Sequence, residues 1–155
     1  MRRVYFSLGS NVGDRAILLR HGVVDVARGD AHRLSRVYET EPLGGVIQDD
    51  FWNLILEITT EASTTELLER LRGAEANAAR RREIRWGPRT LDVDLVVWEG
   101  ADSLDPDLLV PHPRYRERRF VLEPLRELRP DWVSEADLAR AAGHVRVLGT
   151  LDAVT

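Results

Sequence analysis

The 155-residue chain contains no cysteine and no lysine. The first absence excludes a disulfide framework, a thiol nucleophile, iron–sulfur ligation and the usual structural zinc sites, so any metal must bind through oxygen or imidazole. The second removes a Walker lysine, a Schiff-base lysine and a lysine general base. All 22 basic residues are arginines, and every anion falls to them. No apolar run approaches the roughly 20 residues that a membrane helix needs. The start, Met1-Arg2-Arg3-Val4-Tyr5-Phe6-Ser7-Leu8, is too short an apolar stretch for a secretory leader and reads as a strand, which makes a cytoplasmic location the expectation. Twenty-six acidic residues give a net charge of −4, which argues against a general nucleic-acid surface while leaving room for a basic cluster that serves one small polyanion. With 43% hydrophobic and 31% charged residues, the composition is that of a globular protein, and the length suits a single domain over residues 1–155.

Residues 3–8 alternate as a strand that Gly9-Ser10-Asn11 ends as a turn. A helix opening near Asp14 is expected to carry Ile17, His21 and Val24 on one stripe. Arg33 to Tyr38 reads as a second strand, followed by the loop Glu41-Pro42-Leu43-Gly44-Gly45. Phe51 to Thr60 is the clearest strand: its period of two sends Trp52, Leu54, Leu56 and Ile58 to a core face and Phe51, Asn53, Ile55 and Glu57 to the other. Taken alone, the second face reads as half-covered, with a ring and an amide placed where a flat polar ligand could stack. Ser63-Thr64-Thr65-Glu66 has the form of a capping box, and Leu67, Leu71, Ala74 and Ala78 follow at helical spacing. The segment Arg80-Arg81-Arg82-Glu83-Ile84-Arg85-Trp86-Gly87-Pro88-Arg89 is expected as an exposed, mobile loop. Leu91 to Trp98 is a strand in which Asp92 and Asp94 share a face, their Cα atoms roughly 6.6 Å apart. Pro111-His112-Pro113 is a stiff turn, Arg114 to Leu128 is partly helical, and a short helix at Ser134 to Ala142 precedes a strand-like stretch near Val145 to Leu148.

Two carboxylates this close repel unless a cation sits between them. Their neighbours Arg80, Arg82, Arg85 and Arg89 would neutralise phosphate oxygens that Mg²⁺ leaves uncovered, which together suggests a nucleotide–metal site. An Asp-x-Asp pair alone can equally be an exposed charged face. His21 and His32 read as packing or surface residues, Trp98 and Trp132 as core aromatics, and Gly9-Ser10-Asn11 as a turn with no catalytic role.

Arg85-Trp86-Gly87-Pro88-Arg89-Thr90-Leu91-Asp92-Val93-Asp94-Leu95-Val96 closely resembles the signature of the 6-hydroxymethyl-7,8-dihydropterin pyrophosphokinases of the folate pathway. Further matching segments are Leu8-Gly9-Ser10-Asn11, Tyr38-Glu39-Thr40-Glu41-Pro42-Leu43-Gly44, Phe51-Trp52-Asn53, Glu75 with Arg80 and Arg82, and Val110-Pro111-His112-Pro113 followed by Arg118 and Phe120. The resemblance implies an α+β fold with a ferredoxin-like antiparallel sheet and helices packed on it. It implies diphosphate transfer from ATP to the hydroxymethyl group of the dihydropterin, with release of AMP. Asp92 and Asp94 would be the metal ligands, holding two Mg²⁺ ions, and would form the catalytic set with Arg80, Arg82 and Arg89. Phe51 and Phe120 would sandwich the pterin, Asn53 and the loop of Thr40, Pro42 and Leu43 would read its edge, and Trp86 would help cover it. Glu75, His112 and Arg118 would bind the nucleotide together with Arg80, Arg82 and Arg89. The expected partners are thus two small molecules, ATP and the pterin, with no nucleic acid or membrane, and a monomer is expected.

Two other readings stay open on the residues themselves. A ferredoxin-like binding module would stack bases on its sheet aromatics but has no need of Asp92 and Asp94 together. A two-metal phosphohydrolase would use water in place of the pterin hydroxyl and has no need of Phe51, Asn53 and Phe120.

Overall fold

The computed structural model describes residues 1–41, 49–80, 91–100, 102–106 and 108–154, with the side chains of Arg80 and Asp105 set aside. Its elements are β1 (Arg2–Ser10), α1 (Arg15–Ala27), β2 (Ala31–Leu34), β3 (Val37–Thr40), β4 (Phe51–Thr60), α2 (Thr64–Arg80), β5 (Asp92–Trp98), β6 (Ser103–Asp105), β7 (Leu108–Val110), α3 (Arg119–Leu128), α4 (Glu135–Arg140) and β8 (Val145–Gly149). The main sheet runs β5-β1-β4-β3-β8, with β2 also paired to β4. Each pairing is antiparallel. This is the α+β class expected, with the βαββαβ order of a ferredoxin-like sheet. Each crossover skips one strand and leaves a gap that an antiparallel strand fills: β4 between β1 and β3, and β1 between β4 and β5. Among the described residues no helix is long and apolar enough to cross a membrane.

Crossovers of one hand place α1 and α2 on the same sheet face. There Val4, Phe6 and Leu8 of β1 and Trp52, Leu54, Leu56 and Ile58 of β4 pack with Leu19, Val23 and Val26 of α1 and Leu67, Leu71, Ala74 and Ala78 of α2. The strand and second-helix periods therefore place these residues as expected. In α1 the stripe of Ile17, His21 and Val24 faces solvent, with Ile17 44% and Val24 69% exposed, and Ala16, Leu19, Val23 and Val26 face inward. α1 is apolar on more than one side, so its own spacing cannot choose the inward face. Contact with the sheet and α2 does.

A second layer covers the opposite face. Tyr5 of β1, Ile55 of β4 and Val96 of β5 pack against Val121, Leu122 and Leu125 of α3, together with Leu138 of α4. The face expected to be half-covered is thus filled, with Ile55 at 0% and Glu57 at 4% exposure. Burying the Glu57 carboxylate is tolerable because it is fully engaged: it accepts from the Tyr5 hydroxyl at 2.6 Å and from Arg33 at 2.9 and 2.7 Å. The Arg33 fork holds its pKa below the usual carboxylate range against the opposing effect of burial.

Other boundaries also differ from expectation. The single strand over 33–38 is two, β2 and β3, because Ser35 breaks the ladder: its hydroxyl accepts from the Ile55 amide at 2.8 Å and its own amide donates to the Ile55 carbonyl at 2.9 Å. β1 continues through Gly9 to Ser10. The stretch from Arg114 is a 3-10 turn at Tyr115–Glu117 and then α3, and the short hairpin β6–β7 is an addition. The Ser63 hydroxyl caps α2 by accepting from the Glu66 amide at 3.2 Å, and Ser134 caps α4 with a complete capping box.

Candidate active site

The α3–α4 layer stops short of one end of the sheet, and the uncovered end is a cavity of about 570 Å³. Strand register builds its floor. Gly9 of β1 lies opposite Asn53 of β4 and Asp92 of β5, and Ser7 lies opposite Ile55 and Asp94. Successive strands sit about 4.8 Å apart, so the backbones of Asn53 and Asp92 are separated by roughly 10 Å with Gly9 between them. The walls come from Thr40, Phe51, Glu75, His112, Arg118 and Phe120, with Glu41, Ala142 and Gly143 at the rim.

Packing beneath the floor fixes the aromatic wall. Trp52 points away from the cavity, where its indole N–H donates to Glu39 at 3.1 Å and the Arg15 guanidinium lies 4.3 Å from its ring centroid. Arg15 also donates to the Asp50 carbonyl at 2.8 Å, so the strand entry that carries Phe51 is held from behind. Across the cavity, Phe120 sits in the first turn of α3, with the Arg118 guanidinium 5.8 Å from its ring centroid. The start of α3 is tied to the rim through Arg119 N–H to the Ala142 carbonyl at 3.1 Å and Ala142 N–H to the Glu117 carbonyl at 3.0 Å. Thr40 closes the ring by donating from its hydroxyl to the His144 carbonyl at 2.9 Å.

At the polar end, Asp92 is half-buried and Asp94 exposed on one face of β5. Between them the Val93 N–H points outward from the edge of the sheet and donates to Glu75 at 3.1 Å, so α2 supplies the acceptor that a further strand would have given. His112 accepts from the Arg114 N–H at its Nδ1, 3.1 Å away, which leaves Nε2 to carry the proton of the neutral ring. Burial lowers the His112 pKa, as do Arg118 and Arg114, while Asp94 opposes them, so the imidazole is neutral at pH 7. A second cavity of about 260 Å³ shares Asp94 and His112 with the first and is otherwise lined by Pro113 and by apolar side chains of α2, β5 and the β6–β7 hairpin, among them Leu68, Leu71, Leu95 and Leu108.

One cavity therefore gathers Thr40, Phe51, Asn53, Glu75, Asp92, Asp94, His112, Arg118 and Phe120, which the sequence names from scattered segments. Pro42, Leu43, Arg82, Trp86, Arg89 and the Arg80 side chain lie outside the described residues, as do positions 81–89 of the loop expected over 80–89, while the backbone of Arg80 ends α2 instead. Ser7, Gly9, Ala142 and Gly143 were not anticipated. For Ser7 and Gly9 the period of β1 held a clue, since both fall on the same face as Tyr5.

A model of the family described as 7,8-dihydro-6-hydroxymethylpterin-pyrophosphokinase matches residues 5–130. The chain belongs to this family. It is 43% identical over 145 residues to the 2-amino-4-hydroxy-6-hydroxymethyldihydropteridine pyrophosphokinase of Methylorubrum extorquens, covering 92% of each chain. The enzyme of the same name from Bacillus subtilis is 42% identical over 127 residues, covering 80% of this chain and 76% of that one. The Pseudomonas aeruginosa enzyme is 38% identical over 135 residues, covering 84% and 83%. The lining of the cavity combines two kinds of group, the rings of Phe51 and Phe120 with the Asn53 amide, and the carboxylates of Asp92 and Asp94 with the His112 imidazole and the Arg118 guanidinium.

Proposed function

We propose that this pyrophosphokinase transfers the terminal diphosphate of ATP to the hydroxymethyl oxygen of 6-hydroxymethyl-7,8-dihydropterin. That oxygen bonds to the β-phosphorus and gives up its proton to solvent, the bond from the β-phosphorus to the oxygen bridging it to the α-phosphorus breaks, and AMP leaves with the electron pair. The observation that supports this reading is the cross-strand row Asp92–Gly9–Asn53, in which a carboxylate and an amide stand about two strand widths apart on one floor.

At the ring end, Phe51 and Phe120 stack on the two faces of the pterin, and Asn53 and the backbone from Thr40 through Pro42 and Leu43 pair with its edge. A ring held there directs its hydroxymethyl arm across Gly9 toward the carboxylates. At the other end, Arg118 and the Nε2–H of the neutral His112 donate to phosphate oxygens, and the apolar second cavity takes the purine base. Arg80, Arg82 and Arg89 add guanidinium charge where it develops in transfer, and Trp86 helps exclude water.

Asp92 and Asp94 fit Mg²⁺ by donor chemistry: hard oxygen ligands, two on one strand face, beside a phosphate site. Asp92 and Asp94 would hold the two ions of this reading; among the described residues no set of three His, Asp or Glu side chains is gathered as a metal cage. When bound, Mg²⁺ supplies the positive charge that offsets the phosphate oxygens and acidifies an attacking hydroxyl. The residues themselves bind, orient and shield. The enzyme acts as a single-domain monomer in the cytoplasm.

Following ATP-to-AMP conversion with and without 6-hydroxymethyl-7,8-dihydropterin, at varied Mg²⁺, tests the reading. AMP is expected only when the pterin and a divalent ion are both present. AMP formation without pterin identifies a hydrolase instead, and binding without turnover identifies a sensing module.

A further inference from the structure

Between the ring end and the phosphate end of the floor stands one residue without a side chain, Gly9. Its φ lies outside the left-handed region, unlike that of Gly13 at +71°, so backbone conformation does not require glycine at position 9. Space does. A β-carbon placed on Gly9 would lie 2.5 Å from Oδ1 of Asn53, far inside van der Waals contact. The Asn53 carboxamide thus lies over the glycine Cα, in the space a side chain would take. Neither backbone can back away, because β1 is paired along its length to β4 on one side and β5 on the other.

Asn53 is 3% exposed, and its Nδ2 has no hydrogen-bond partner among the described residues. A buried amide donor left unpaired is costly and calls for a ligand acceptor. With Oδ1 lodged over Gly9, the buried donor Nδ2 is the other end of a carboxamide that, like Gly9, belongs to the cavity lining.

We infer that Gly9 is a specificity-determining position for the pterin, acting through Asn53: the empty space above its Cα seats the carboxamide with its N–H donors presented to the ring edge. The inference rests on the assignment of Asn53 to the pterin made above. Gly9 is a positioning residue, and its effect belongs to the ring end alone.

The test is a double-mutant cycle of Gly9→Ala and Asn53→Ala, read by calorimetric titration with 6-hydroxymethylpterin in the presence of a non-hydrolysable ATP analogue. The affinity for that analogue with Mg²⁺ alone serves as the second readout. Gly9→Ala is expected to weaken pterin binding by about 5- to 150-fold, the span that an unpaired buried group costs, and to leave nucleotide affinity within about twofold. In the Asn53→Ala background the same substitution is expected to do little, because the atom it displaces has gone. Should Gly9→Ala alone fail to fold, recovery of a folded protein in the double variant supports the same clash. Wild-type pterin affinity in Gly9→Ala, full additivity in the cycle, or a double variant that also fails to fold would overturn the inference. Unchanged pterin affinity in Asn53→Ala overturns the reading of the ring site itself, and is distinguished from the other outcomes by that single variant.

Discussion

Glu75 illustrates how a side chain on a helix can govern two carboxylates it does not replace. β5 is the outermost strand on its side of the sheet, and the Val93 amide between Asp92 and Asp94 donates to the Glu75 carboxylate at 3.1 Å. Val93 is 3% exposed, so removing that acceptor strands an amide where water has little access. A buried amide left unpaired costs roughly 1–3 kcal/mol, and the chain can relieve the cost only by shifting the strand that aims both aspartates. Loss of such supporting contacts behind metal ligands lowers metal affinity or activity by about 10- to 100-fold. Glu75→Ala is therefore expected to reduce kcat/KM for ATP by that factor, with a higher Mg²⁺ requirement and pterin affinity nearly unchanged. Glu75→Gln keeps an oxygen that can accept from Val93 and should retain most of the activity. The assay is AMP formation across a Mg²⁺ titration for the three proteins, with pterin binding by calorimetry alongside. Equal damage in the Ala and Gln variants would refute the argument, since charge rather than the Val93 contact would then be what matters. So would an Ala variant with wild-type Mg²⁺ dependence.

Asp92→Ala and Asp94→Ala should each lower turnover by several orders of magnitude while calorimetry shows most pterin affinity retained, because the lost interaction acts on phosphate charge; near-normal Mg²⁺-dependent turnover in either would remove the metal assignment. Phe120→Ala should weaken pterin binding by about 1–3 kcal/mol, by analogy with base–aromatic stacking, as measured by titration with a pterin analogue. Glu57 carries a pH dependence whose sign follows from its lowered folded pKa, set first by the Arg33 fork. Its contribution is complete above the unfolded value of about 4.3 and is lost as pH falls through the lower folded value. Thermal midpoints measured between pH 7 and 3 should therefore drop more steeply below pH ~4 in the native protein than in Glu57→Gln; parallel curves would show that the buried carboxylate is not held ionised by Arg33 and Tyr5.

Short-range spacing made much of the site legible in the chain itself. A period of two in β4 places Phe51 beside Asn53, and the same period in β5 places Asp92 beside Asp94, because alternation is a property of any extended backbone. Helical spacing likewise assigned Leu67, Leu71, Ala74 and Ala78 to the core, where all four are buried. The missing lysines and cysteines confined the chemistry to arginine, carboxylate and imidazole before any contact was known. Matching segments, separated by tens of residues, carried the family and its activity.

Tertiary structure decided what depends on partners distant in the chain. α1 is apolar on more than one side, and only packing turned Ala16, Leu19, Val23 and Val26 inward and left Ile17 and Val24 in solvent. Ile55 and Glu57 looked half-covered until α3, more than 60 residues further on, closed over them. Ala142 and Gly143 reached the cavity rim through hydrogen bonds to the start of α3. Gly9 read as a turn residue, yet it stands in an extended strand between Asn53 and Asp92, where its missing β-carbon leaves room for an amide. Local periods fix which side of a strand or helix a residue occupies, but the residue set opposite it depends on strand register and layer packing, which minimise the free energy of the whole chain and leave no mark at that position in the sequence.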